Sequence, residues 1–144
     1  MSNNKHPIAS VAVFVTHRYH PGQILLGERY YNIKKGKTFE YALPGGKVDW
    51  MEGIEDAAIR EVREETGITV KIKHFLGIAD DRWPDLDLHF VCHYYHAVYV
   101  SGTVTDMEPK KQRNWKWIDV KGCPTIYGQA TVVLLKNMKY FTQK

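Results

Sequence analysis

Two short stretches near the start of the chain are apolar at nearly every position. SVAVFVT at 10–16 and QILLGER at 23–29 are rich in β-branched and aliphatic residues, and the turn signal HPG at 20–22 lies between them. This pattern predicts two strands joined as a hairpin. YYNIKKGKTFEY at 30–41 is polar and reads as a loop, and LPGG at 43–46 reads as a tight loop. GIEDAAIREVREET at 53–66 has helical spacing, with acids near its start, where the helix dipole favours them. Gly67 follows as a residue able to take positive φ and end the helix. TVKIKHFLGIA at 69–79 and LHFVCHYYHAVYVSGTV at 88–104 predict strands, with a turn at DDRWPDLD, 80–87. NWKWIDV at 114–120 predicts a last strand, and GQATVVLLKNMKYF at 128–141 a closing helix. Many strands and two distant helices imply an α/β fold with a mixed sheet and helices on its faces. Residues 1–7 are polar and expected to fray.

Composition narrows the class. With 144 residues the chain fits one domain, 1–144, with a core of its own. Its two cysteines, Cys92 and Cys123, are too few for a disulfide scaffold or a four-thiolate metal site, so a reducing, cytoplasmic setting is expected. No apolar run approaches the roughly 20 residues of a membrane helix, and no signal peptide or membrane partner is expected. The net charge is +4, but the segment around the predicted first helix is acidic and the basic excess is scattered. That distribution gives no continuous phosphate-binding stripe, so no nucleic-acid partner is expected.

The chemistry concentrates in GKVDWMEGIEDAAIREVREETGI, residues 46–68. On a helical wheel Glu61, Glu64 and Glu65 fall within about 100° of one another, with Val62 and Ile59 on the adjoining, core-facing side. Like charges at this spacing repel, and a bound cation removes the penalty. Oxygen-only ligands suit Mg²⁺, with Mn²⁺ as the alternative. The glycines of LPGG allow backbone to approach a metal or phosphate closely. Acidic helix, glycine loop and hard cation together suggest chemistry on a phosphate chain.

Gly46, Glu52, Arg60, Glu61, Val62, Glu64, Glu65, Gly67 and Ile68 stand at every fixed position of the signature of the Nudix hydrolases, which this segment resembles. The resemblance implies an α/β/α sandwich with a mixed sheet and two main helices. It also implies divalent-metal-dependent hydrolysis of a nucleoside diphosphate linked to a further group. Carried over residue by residue, Glu61, Glu64 and Glu65 would hold metal, with Glu61 or Glu64 helping to activate water. The carbonyl of Gly45 or Gly46 would complete the metal shell, and Arg60 would orient the glutamates. Glu52 would brace the loop and Gly67 would end the helix.

Outside the box, similar enzymes carry a basic residue where Arg29 ends ILLGER, aimed at phosphates. Lys47 is a second candidate for phosphate, and Glu108 for an additional metal ligand or base. Trp83, Trp50, Tyr95 and Tyr41 offer flat faces for a nucleobase. His89, His93 and His96 share one strand but not one face, so no zinc site is expected, and Cys92 reads as core.

The short chain, the ILLGER strand and the EP…W.W.D ending resemble the small MutT-like enzymes that split a (d)NTP to (d)NMP and pyrophosphate. Two alternatives stand beside this. Pro84, 16 residues past Ile68, matches a feature of ADP-ribose and nucleotide-sugar pyrophosphatases. A non-catalytic nucleotide-binding domain is the other, although such domains usually lose a box glutamate. The expected partner is a small nucleotide, and the protein is expected to be a monomer or homodimer. Specificity should lie in the loops 30–41, 80–87 and 105–114.

Overall fold

The computed structural model describes residues 5–30 and 39–142. Residues 1–4 of the expected frayed start and 31–38 of the expected loop lie outside them. Strands β1 (Ile8–Thr16), β2 (Gln23–Arg29), β3 (Glu40–Ala42) and β4 (Gly45–Lys47) precede helix α1 (Ile54–Thr66). Then come β5 (Ile68–Trp83), a 3₁₀ turn at Pro84–Leu86, β6 (Leu88–Gly102), β7 (Gln112–Asp119), α2 (Ala130–Lys136) and a 3₁₀ turn at Met138–Tyr140. The strands form two sheets, ordered β4-β1-β6-β5 and β3-β2-β7. The β1–β6 pair is parallel and the other ladders are antiparallel, so the arrangement is mixed α/β as expected.

Side-chain alternation along the central strands sorts the core onto two faces. On β1, Val11, Val13 and Val15 pack with Ala57, Ala58 and Val62 of α1. Ala12 and Phe14 face the other way, toward Ala130, Val133 and Leu134 of α2. Strand β6 repeats the division, with Tyr95 and Ala97 on the α1 side and Cys92 and Tyr94 on the α2 side. One helix therefore covers each face, which is the expected sandwich. Fully burying Val62 contributes about 1.5–3 kcal/mol.

Three local expectations are corrected. The 10–29 region is not a hairpin: β1 bonds β4 on one edge and β6 on the other, and β2 bonds β3 and β7. A strand has two edges, and β1, buried on both faces, has both occupied by the time β2 passes beside it. LPGG is not a tight loop: Gly45–Lys47 is a strand, with Val11 opposite Gly46. The 80–87 stretch is mostly not a turn. Asp80, Asp81, Arg82 and Trp83 continue the β5 ladder opposite Val91, Phe90, His89 and Leu88, which confines the turn to Pro84–Asp87. Polarity misled there because Asp80 faces solvent, with His89 and Arg82, while Asp81 faces inward. The closing helix is real but shorter than 128–141.

The glycine in β4 has a packing cause. A Cβ on Gly45 would fall 2.2 Å from the Val11 carbonyl oxygen and 2.9 Å from the Ala12 Cα. Both are backbone atoms in the central strand and cannot step aside. Gly45→Ala is therefore expected to destabilise the protein by about 1–3 kcal/mol or more in urea unfolding. A midpoint equal to wild type would show that β4 can move away from β1 at no cost.

Candidate active site

Helix α1 starts after Gly53, carries Glu55 and Asp56 in its first turn, and ends at Gly67. Gly67 has φ +78°, and its N–H donates to the Arg63 carbonyl, 2.9 Å. Between these ends Arg60 is the hub. Its Nε and Nη2 donate to the two oxygens of Glu52, at 2.7 and 2.9 Å. Its Nη1 donates to Glu61, 2.9 Å, and to Glu64, 2.8 Å. Nη2 also reaches the Lys47 carbonyl, 3.0 Å. The planar fork of a guanidinium can hold a carboxylate through two nitrogens and still serve others, which a lysine cannot. These hydrogen bonds hold the Glu52 carboxyl down at about 2, helped by the Asp49 N–H, and push the Arg60 guanidinium up.

Glu65 is the deepest of the acids, 1% exposed. Its Oε1 accepts from the Gly45 N–H, 2.8 Å, and its Oε2 lies 3.4 Å from Lys111 Nζ. With its amide nitrogen turned inward, Gln112 donates to Oε2 at 3.0 Å. Burial still dominates and pushes the Glu65 carboxyl up to about 8, against the pull of the Gly45 N–H and Lys111. Glu61 is raised for the same reason, with Arg60 opposing. A Cβ on Gly46 would sit 2.6 Å from the Glu61 carboxyl carbon, so a larger residue there would displace that carboxyl from its present position. Glu64 is the accessible member of the trio, its side chain 47% exposed.

A cavity of about 370 Å³ opens beside these groups, within the range of small-ligand sites. Arg29, Lys47, Lys111, Glu61, Gly45 and Gly46 line one part of it. Leu43, Phe90, Cys92, Tyr94, Trp83, Tyr127 and Asp81 line the rest. Trp83 stacks on Tyr127, ring centres 5.0 Å apart and planes 7° apart, and the Arg29 guanidinium lies 4.6 Å above the Tyr127 ring. Burial pushes the Cys92 thiol up to about 12.

Of the candidates read from sequence, Arg29, Lys47, Trp83, Gly45, Gly46 and Glu61 meet at this cavity. Arg60, Glu52, Glu64 and Glu65 stand in the network behind it. Glu108 is exposed and does not line the cavity; its carbonyl accepts from the N–H groups of Lys111 and Gln112 in the turn that carries those two toward Glu65. Trp50 is 91% exposed and Tyr95 is buried in the core on the α1 side, so neither lines the cavity. Sequence reasoning missed Lys111, Gln112, Asp81 and Tyr127. The run EPKKQR carries the first two, beside the acid Glu108. Asp81 was hidden in an apparent turn.

A family model described as NUDIX domain matches residues 5–131. The chain belongs to the Nudix hydrolase family. An oxidized purine nucleoside triphosphate hydrolase of Danio rerio is 44% identical over 105 residues, 72% of this chain and 63% of that protein. An ADP-ribose pyrophosphatase of Methanocaldococcus jannaschii is 45% identical over 65 residues, 45% of this chain and 36% of that protein. Matches to YtkD of Bacillus subtilis and NudC of Pseudomonas aeruginosa span 23% and 31% of those proteins, so the chain aligns with only about a third or less of these three relatives. Among solved structures, a MutT Nudix hydrolase from Burkholderia pseudomallei superposes with a TM-score of 0.77 at 29% identity, covering 91% of this chain and 97% of that one.

Nudix hydrolases generally use divalent metals and act on small nucleotides. Among the described residues no three acidic, histidine or cysteine groups form a preassembled metal cage. Glu61 and Glu64 share the Arg60 Nη1 instead, and Glu65 faces the Gly45 N–H and Lys111. The donor set nevertheless fits a hard cation: three carboxylates on one helix face, two of them raised by burial despite the nearby Arg60 and Lys111. No helix among the described residues is long and apolar enough to cross a membrane.

The raised Glu65 sets a pH dependence. Its folded value, about 8, lies above its ordinary value of 4.5. The protonated form is thus favoured by folding, and that stabilisation is complete below the ordinary value and lost as pH rises through about 8. In EDTA the melting temperature is expected to fall as pH rises from about 4.5 to about 8, and Glu65→Gln to flatten the fall. An unchanged slope in Glu65→Gln would assign the titration to another group.

Proposed function

We propose that the chain hydrolyses a nucleoside triphosphate, (d)NTP, to (d)NMP and pyrophosphate with Mg²⁺, Mn²⁺ serving as the alternative. The observation that carries this reading is the gathering of Arg29, Lys47 and Lys111 around one cavity beside Glu61. Three cations from three separate segments, β2, β4 and the turn before β7, suit a chain of phosphates better than a single isolated charge does. The relative from Danio rerio, an oxidized purine nucleoside triphosphate hydrolase, supports the same class.

In this reading Glu61, Glu64 and Glu65 would hold the cation, with a carbonyl of Gly45 or Gly46 completing its shell. A divalent ion there supplies neutralisation of phosphate charge and makes nearby water more acidic. Arg29, Lys47 and Lys111 bind and orient the phosphate chain. Arg60 is a positioning residue that keeps the carboxylates aimed. Water forms a new bond to an anhydride phosphorus, the bridging P–O bond breaks, and pyrophosphate leaves with that electron pair. The water proton passes to a carboxylate, for which Glu64 is the accessible choice and Glu61 the alternative. Gln112 and the Gly45 N–H keep Glu65 in place.

A second reading, cleavage of ADP-ribose or a nucleotide sugar, draws on the Methanocaldococcus jannaschii relative and on Pro84. Pro84 opens the 3₁₀ turn after β5 and does not line the main cavity, which favours the triphosphate.

The test is a panel of (d)NTPs, ADP-ribose, a nucleotide sugar and a dinucleoside polyphosphate with Mg²⁺ and then Mn²⁺. Pyrophosphate release from triphosphates is expected, with ADP-ribose slower; the reverse order would overturn the reading. Glu64→Gln should lower kcat about 100-fold or more while leaving the melting temperature in place. Near wild-type turnover would remove Glu64 from the chemistry. Arg29→Ala should lower kcat/KM for a triphosphate about tenfold or more, and unchanged kinetics would exclude a phosphate contact.

A further inference from the structure

The strand order β4-β1-β6-β5 gives the cavity a direction. Lys47 is opposite Ser10, Ser10 is opposite Cys92, and the neighbouring Phe90 is opposite Asp81. Ser10, Phe90, Cys92 and Asp81 all line the cavity. Its floor therefore crosses three ladders, roughly 14 Å at the usual strand spacing. That is the scale of a nucleotide laid from its phosphates to the far edge of its base. One end holds the cations and glutamates already described. The other ends at a carboxylate, Asp81, which the phosphate chemistry does not use.

Asp81 is 9% exposed and held by two hydrogen bonds. Its Oδ1 accepts from the Gln129 N–H, 3.0 Å, and its Oδ2 accepts from the Tyr94 hydroxyl, 3.4 Å. Gly128, at φ +77°, has no Cβ, and one would lie 3.1 Å from either oxygen. A carboxylate oxygen has two acceptor sites, so each oxygen keeps one for a ligand. Beside it Trp83 and Tyr127 form a stacked aromatic wall, and the Trp83 Nε1–H is buried without an acceptor among the described residues.

A buried acceptor pair selects a ligand edge with two adjacent donors. Adenine and cytosine each place a ring acceptor beside their amino group. Thymine and uracil place one N–H between two carbonyls, and hypoxanthine offers an N–H without an amino group. Guanine presents N1–H and the 2-amino group side by side, which matches a carboxylate in the bidentate manner of a guanidinium. We propose that Asp81 is the specificity-determining residue of this cavity and accepts two hydrogen bonds from the N1–H and 2-amino edge of a guanine nucleotide. Guanine oxidised at C8 keeps that edge and is the second source of the same chemistry. The proposal rests on the nucleotide reading above but not on which anhydride is cut.

The experiment is equilibrium binding by calorimetry, with Mg²⁺, of dGMP, dIMP, dAMP, dTMP and 8-oxo-dGMP to the wild-type chain and to Asp81→Asn. Monophosphates read the base without turnover. Wild type is expected to bind dGMP about ten- to a hundredfold more tightly than dIMP, which lacks only the amino group. Asp81→Asn, which keeps an acceptor for the Gln129 N–H, should bring that ratio to within about twofold and leave dTMP little changed. Tighter binding of 8-oxo-dGMP than dGMP would name oxidised guanine as the source, and the reverse order guanine itself. Equal wild-type affinity for dGMP and dIMP, preference for dAMP, or an equal loss for all five ligands in Asp81→Asn would overturn the proposal. If Asp81→Asn does not fold, the wild-type dGMP/dIMP ratio decides alone. A chain that cleaves ADP-ribose and no triphosphate, yet shows this ratio, would overturn the triphosphate reading and leave this one standing.

Discussion

Three carboxylates on one face of a short helix repel one another, and the candidate active-site end of this fold is organised around offsetting that repulsion. Arg60 supplies the local remedy. One guanidinium binds Glu52 through two nitrogens, touches Glu61 and Glu64, and reaches back to the Lys47 carbonyl. Those contacts tie α1 to the segment before it and to the end of β4. The hub thus serves two ends at once: it restrains the glutamates and fixes the approach of the chain to the helix. Glu65 lies beyond its reach and depends on a backbone N–H and on residues from β7 and the turn before it.

The second constraint is the central strand. β1 has both edges bonded and both faces buried, so everything around it is placed relative to it. Its odd-numbered valines seat α1, and its even-numbered residues look toward α2 and the cavity. The close approach of β4 sets Gly45 against Val11, and the same strand puts Gly46 against the Glu61 carboxyl. A glycine pair that reads as a loop thus acts in packing, by letting a strand and an acidic helix meet without side chains between them.

Much of this was legible because it is local. The box from Gly46 to Ile68 has fixed spacing, and helix periodicity alone puts Glu61, Glu64 and Glu65 on one side. The end of ILLGER and the residue after the glycines were readable in the same way, and Arg29 and Lys47 do line the cavity. What could not be read depends on register between distant strands. Lys111 and Gln112 reach Glu65 only because β7 pairs with β2, where Gln112 is opposite Arg29. Asp81 faces inward only because β5 runs four residues further than its apolar pattern suggests. Tyr127 meets Trp83 across more than forty intervening residues, and no period in the sequence links them.

Cys92 sits in the wall of the cavity, and its thiol is pushed up to about 12 by burial. Burial disfavours the thiolate, and thiol oxidation and alkylation proceed through the thiolate. The cavity therefore gains the soft, polarizable packing of sulfur without a reactive nucleophile beside its ligand. Burial thus sets Cys92 apart from the exposed low-pKa cysteines that electrophilic reagents and peroxides attack first.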